Sequence, residues 1–122
     1  MPVSVYKKQT DLFGNVLAME NDRNELWVTH DYGPRICRFA FKNGKNFMCE
    51  DPEKKLNSTG SDFDKYFGKG RYWYSRGGHR IWVTPEIKPI TYYPDNEPID
   101  YTVNGNNVIK IVDTVLKELI NE

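Results

Sequence analysis

This 122-residue chain has no excess of charge of either sign: 17 Lys plus Arg face 17 Asp plus Glu, for a formal net charge of zero. Such a balance produces no field that would draw the chain to nucleic acid or to an anionic membrane, and neither is expected as a partner. Histidine and cysteine number two each. The cysteines, Cys37 and Cys49, show neither CxxC spacing nor a Cys/His cluster, which argues against a structural zinc site. Asp95, Glu97 and Asp100 are spaced so that they could ligate calcium through oxygen, yet no spacing requires a metal and no cofactor is implied. There is no run of 18 apolar residues and no charged-then-apolar leader. The expectation is a soluble, cytoplasmic chain with both thiols reduced and buried. Hydrophobic residues make up only 39% of the sequence, lean for a single small domain that must stabilise itself.

Aromatic residues are plentiful. Eight Tyr and three Trp contribute to an aromatic share of 14%, enough to fill a core and still leave rings to stack on flat or sugar-like ligands. They are set in a pattern of short alternating runs and turn signals. Residues 3–8 alternate as a first strand, and Gly14 breaks the pattern. Residues 15–20 form a short apolar strand, 21–24 a polar turn, 25–30 a strand with Trp27 opposite Leu26 and Val28, and 31–34 a turn. Over Arg35 to Lys42, Ile36, Arg38 and Ala40 share one face, and Cys37, Phe39 and Phe41 form an apolar opposite face. Asn43-Gly44 predicts a two-residue hairpin, with Lys45 to Cys49 returning as the partner strand.

Glu50 to Gly70 has no period and reads as a long loop with one helical turn around Asp62 to Phe67, pinned by Phe63, Tyr66 and Phe67. The aromatics of residues 71–74 lead out of it, either as packing or as a platform beside a pocket. Further on, 99–103 reads as a strand and 104–107 as a turn. The pattern from Val108 to the end fits either a strand followed by a short helix or one continuous helix. Short strands dominate, so the expected class is mainly β, an antiparallel sandwich or part of one, in a single domain.

The densest chemistry lies in Gly77-Gly78-His79-Arg80-Ile81-Trp82-Val83-Thr84-Pro85-Glu86 and in Thr91-Tyr92-Tyr93-Pro94-Asp95-Asn96-Glu97-Pro98. Alternation over 79–84 sets His79, Ile81 and Val83 on one face, with Arg80, Trp82 and Thr84 on the other. This stretch is either a strand entering a polar turn, with Arg80 and Glu86 paired at the surface, or the wall of a ligand pocket. His30, beside Asp31, reads as a satisfied or exposed histidine. Arg35 and Glu97 read as structural.

These two blocks, together with Leu26-Trp27-Val28, Tyr32-Gly33-Pro34-Arg35-Ile36, Phe39 and Gly44-Lys45-Asn46-Phe47, give the chain a resemblance to the N-terminal part of galactose mutarotase-like proteins. It looks closest to an uncharacterised bacterial family of that superfamily related to the aldose 1-epimerases. The resemblance runs from about Val16 to Val115. It implies part of a β-supersandwich and a small carbohydrate held in a groove of His, Arg, Asp and aromatic side chains. Ligand contacts are expected from Arg80, Trp82, Tyr92, Asp95 and Asn96. Mutarotases open and close the hemiacetal ring with a histidine acid and a glutamate base, two groups whose pKa values are held apart. Only His79 and Glu86 are candidates for those roles here. Family members are considerably longer, and their glutamate base and second histidine belong to the C-terminal half. The chain then reads as a fragment, a natural half-domain or a family member that has lost catalysis, in each case without complete catalytic machinery. An open sheet edge of this kind implies a homodimer. Three readings remain: a carbohydrate-binding domain, an epimerase completed across a dimer, and a structural or interaction β-domain.

Overall fold

The computed structural model describes residues 2–80, 82, 84–87, 90–105 and 108–112. The class is mainly β. Five antiparallel strands form the main sheet: β1 (Ser4–Thr10), β2 (Gly14–Glu20), β3 (Asn24–Thr29), β4 (Arg35–Phe41) and the two-residue β7 (His79–Arg80), in that spatial order. Two ribbons accompany it, one of β5 (Asn57–Ser58) with β6 (Trp73–Tyr74), the other of β8 (Asp100–Asn104) with β9 (Val108–Val112). Among the described residues one α-helix, α1 (Ser61–Phe67), lies between β5 and β6 in the chain, and a 3-10 turn spans Ile90–Tyr92.

Local chemistry makes the first three strands a meander. Thr10 closes the β1–β2 turn by donating its hydroxyl to the Gly14 carbonyl and accepting the Phe13 N–H, and Gly14 itself takes φ +71°. At the next turn the Asn21 side-chain oxygen accepts the N–H groups of Arg23 and Asn24, as an Asx-turn does. Val16, Leu17 and Ala18 are all buried. Successive strand residues point to opposite faces, so both faces of β2 are covered. On one face Val16 packs with Phe13, Cys37 and Trp27.

The register between β3 and β4 slips beside Trp27, which pairs with Arg38 while Val28 pairs with Ile36. Cys37 is the extra residue of a β-bulge, and it resets which face each later side chain takes. The apolar face expected of Cys37, Phe39 and Phe41 is therefore not a single buried face. Cys37 and Ala40 are buried, whereas Phe39 and Phe41 are exposed, Phe41 by 64%. Arg38 lies over Trp27, its Nε 2.7 Å from Glu25.

The chain turns after Phe41 with Asn43 at φ 59°, but Lys45 to Cys49 is not a strand. The side-chain amide of Asn46 substitutes for a ladder. Its oxygen accepts from the Phe39 and Met48 N–H groups, and its nitrogen donates to the Cys37 carbonyl and to Glu50. Cys49 is exposed, contrary to the buried thiol expected there, because no partner strand forms to enclose it; both cysteines are free.

Glu50 to Gly70 is mostly loop, as expected, with α1 where a helical turn was read. Phe63 is buried against Phe67, which meets Tyr93, so two of the three aromatics pin the loop. Tyr66 is 56% exposed and does not. Val108 to Val112 is a strand; the expected terminal helix lies outside the described residues, as do positions 106 and 107 of the expected turn. Among the described residues no helix is long and apolar enough to cross a membrane.

Candidate functional site

The site begins with two glycines. Gly77 and Gly78 take φ +69° and +70°, and each lies where a side chain could not fit. A Cβ on Gly77 would stand 1.9 Å from the Cys49 carbonyl oxygen, and one on Gly78 would stand 2.4 Å from that of Ile36. The pair lets the chain run against the segment that Asn46 holds, through a bridge to Glu50 and a Gly78 N–H bond to Cys49. From there β7 joins the edge of β4.

The register sets Arg80 opposite Arg35 and His79 opposite Ile36. Directly opposed residues of an antiparallel pair share a face, so the two arginines project together and His79 lies on the reverse side. Of the expected strand over 79–84, His79–Arg80 is strand, Trp82 and Thr84 are not, and positions 81 and 83 are outside the described residues.

Arg35 is only 3% exposed. Its guanidinium donates to the carbonyls of Ser75 (2.6 Å) and Tyr74 (2.9 Å) and reaches Asp95 at 3.2 Å. Burial pushes its pKa down and Asp95 pushes it back up. This anchor ties β4 to the segments 74–75 and 95. Arg80 is half-buried and donates to the Thr91 carbonyl at 2.6 Å. Its guanidinium lies 4.9 Å from the Trp73 ring centre and 5.2 Å from that of Trp82. Burial lowers its pKa, against the pull of Asp95 and with the help of Arg35.

Around these groups opens a cleft of about 390 Å³. Arg35, Arg80, Trp73 and Trp82 line it together with Ser75, the two glycines, His79, Glu86 and Tyr92. The Glu86 carboxylate accepts a short hydrogen bond from the Tyr92 hydroxyl, which raises the pKa of that phenol. Tyr92 also meets Trp73 edge-to-face at 5.1 Å. Arg80 and Glu86 do not form the surface pair considered from the sequence; each has another partner.

Five of the seven expected site residues line the cleft: Arg80, Trp82, Glu86, Tyr92 and also His79, although its pairing sets it on the other face of β7 from Arg80. Asp95 and Asn96 do not line the cleft. Asp95 is committed to Arg35, which also removes it from any calcium site; among the described residues no acidic or His/Cys cluster could hold a metal. Asn96 donates to the Tyr72 carbonyl and accepts from Arg76, whose guanidinium stacks on Tyr32 at 4.0 Å. Both residues brace the loop that carries Tyr92. The sequence reading placed Arg35 among structural residues and left Trp73 between packing and platform. The signal for Trp73 was its place in the Tyr-Trp-Tyr run. Nothing local marked Arg35, whose partners are 39 to 60 residues away.

Set against protein-family models, curated proteins and solved structures, the chain matches none of them. Its function is therefore argued from the cleft.

Proposed function

We propose that the chain is a carbohydrate-binding β-domain, related to the mutarotase-like proteins that its sequence resembles, and that it holds a sugar in the cleft of Trp73, Arg80 and Trp82. The observation that carries this reading is the Arg80 guanidinium lying 4.9 and 5.2 Å from the centres of two tryptophan rings on the wall of an open cleft. A sugar offers apolar C–H faces to indole rings and hydroxyls to a planar fork of donors. Glu86, one of whose oxygens accepts from Tyr92, keeps its second carboxylate oxygen as an acceptor for a sugar hydroxyl.

Binding without full catalysis fits best. Ring opening needs an acid and a base that reach one anomeric centre. His79 is exposed on the reverse face from Arg80, and no hydrogen bond orients its imidazole among the described residues. Glu86 is engaged by Tyr92. The test is a thermal-shift screen of simple aldoses, uronic acids and amino sugars at on the order of tens of millimolar, where mass action reveals weak ligands. A selective rise in Tm that is lost in Arg80→Ala and Trp82→Ala supports the reading; identical shifts in both variants reject it. Polarimetry on glucose and galactose checks the epimerase alternative, for which acceleration above the buffer rate would be required.

One observation favours a second reading, an interaction domain that pairs with another copy of itself. Phe39, Phe41 and Phe47 are exposed side by side at one end of the sheet, Phe41 and Phe47 in edge contact at 5.7 Å. A homodimer covering them would show a concentration-dependent mass in light scattering, and Phe41→Glu would abolish it.

A further inference from the structure

A second cleft abuts the first. Its volume is about 370 Å³, and it opens between the β5–β6 ribbon and α1. Phe63, Tyr66 and Phe67 line its helix side, and Asn57, Ser58 and Thr59 line its ribbon side. Tyr92 lines both clefts.

We infer that the two clefts are consecutive subsites for one ligand, a glycoside of at least two sugar units, with Tyr92 at the junction and Tyr66 as the platform for the second unit. The inference rests on the carbohydrate reading of the first cleft. Phe63 and Phe67, four residues apart on α1, meet at 4.7 Å with their rings tilted by 45°, and Phe63 is buried. Tyr66, next to them on the same short helix, stays 56% exposed and lines the cleft. Lys65 stands 5.6 Å from that ring; an exposed cation–π contact is weak enough for an incoming ring to displace.

The polar edge selects the chemistry of the occupant. The Asn57 side-chain nitrogen is spent on the Lys54 and Lys55 carbonyls, so Asn57 offers its oxygen as an acceptor. Asp62 adds a carboxylate, and Ser58 and Thr59 add hydroxyls. A purely apolar chain would bury these groups unpaired, and an anion would meet Asp62. A neutral polyhydroxylated ring satisfies both sides of the cleft, with hydroxyls toward the acceptors and C–H groups on Tyr66.

The experiment compares methyl β-galactoside with lactose, and methyl α-glucoside with maltose, by calorimetry on the full chain. At least one disaccharide is expected to bind tenfold or more tightly than its methyl glycoside. Tyr66→Ala should remove that gain and leave the methyl glycoside affinity unchanged, while Tyr66→Phe should keep it; an unaltered ligand-free Tm confirms that both variants fold. Equal affinities within each pair, or a gain that survives Tyr66→Ala, overturn the second subsite while leaving the first cleft intact. Absence of binding by all four probes overturns the carbohydrate reading and this inference with it.

Discussion

The guanidinium of Arg35 and the carboxylate of Asp95, sixty positions apart in the chain, meet at 3.2 Å where β4 leaves the Gly33-Pro34 corner. The corner is bound to the same loop a second time, by the Gly33 N–H to the Asp95 carbonyl. Both side chains are largely enclosed, at 3% and 12% exposure. Removing one partner of such a pair leaves the other charge buried and uncompensated. Asp95→Ala should therefore cost about 3–5 kcal/mol, well beyond the usual surface substitution. Urea unfolding measures it. A loss below about 1 kcal/mol would show that water reaches Arg35 and that the pair is not the anchor described.

The second expectation concerns Asn46, which does not line the cleft yet supports it. Its amide makes four hydrogen bonds that hold residues 46–50 beside β4, and Cys49 and Glu50 in turn hold Gly77 and Gly78. Asn46→Ala should cost ~1–3 kcal/mol and also weaken the proposed sugar binding, because β7 loses its support. Asn46→Asp keeps the acceptor but loses the donor and brings a second carboxylate toward Glu50, and Glu50→Gln should relieve part of that loss. Stability and affinity measured on the same variants check the chain of support. Full affinity in Asn46→Ala would break the link from Asn46 to the cleft.

This same residue shows what the sequence could and could not convey. Each element whose cause is local was readable: the meander from its alternation, the Asn21 turn from its Asx chemistry, α1 from residues 62–67. The Asn43-Gly44 pair did mark a reversal. No local pattern, however, reveals that one side-chain amide replaces the returning strand, since Asn46 looks like any loop polar residue. The bulge at Cys37 is equally silent in the sequence, and it turned an apparent apolar face into two exposed phenylalanines. At the cleft, residues clustered in sequence came together as expected. Asp95 and Asn96 did not join them because Arg35 and Arg76, distant in the chain, claim them first.

The glycine pair permits a sharp substitution test. At Gly78 a methyl group would lie 2.4 Å from the Ile36 carbonyl oxygen in a left-handed conformation. The atom it meets is backbone of the central sheet, so it cannot swing aside as a flexible side chain would. Gly78→Ala should detach β7 from β4 and abolish ligand binding, with a stability loss of at least about 2 kcal/mol from strain and lost contacts. Gly70→Ala is the control: it also has positive φ, but a Cβ there meets nothing within 4 Å. It should cost only about 1 kcal/mol, from the left-handed backbone alone. Comparable losses in the two variants would mean that backbone angle, and not the close approach, decides the effect.

The two thiols should behave oppositely, and one of them should set the alkaline limit of the fold. Cys49 is exposed and should react with a disulfide reagent in the native protein; Cys37 is buried and should react only on unfolding. Burial pushes the Cys37 pKa from 9.0 up to about 12. Below the unfolded value both states carry a neutral thiol and folding is not penalised. Above it the unfolded chain ionises and the folded one does not, so stability falls as pH rises from 9.0 toward about 12. The loss reaches about 2 kcal/mol near pH 10.5. Cys37→Ala should start less stable, because it leaves a small cavity beside Phe13 and Val16, but should show a shallower slope over this range. Tyr32, whose pKa burial also raises, acts in the same direction above its ordinary value of 10.0, so the comparison belongs in a Tyr32→Phe background. Parallel slopes with and without Cys37 would show that the thiol is hydrated in the folded state and that the bulge around it is open to water.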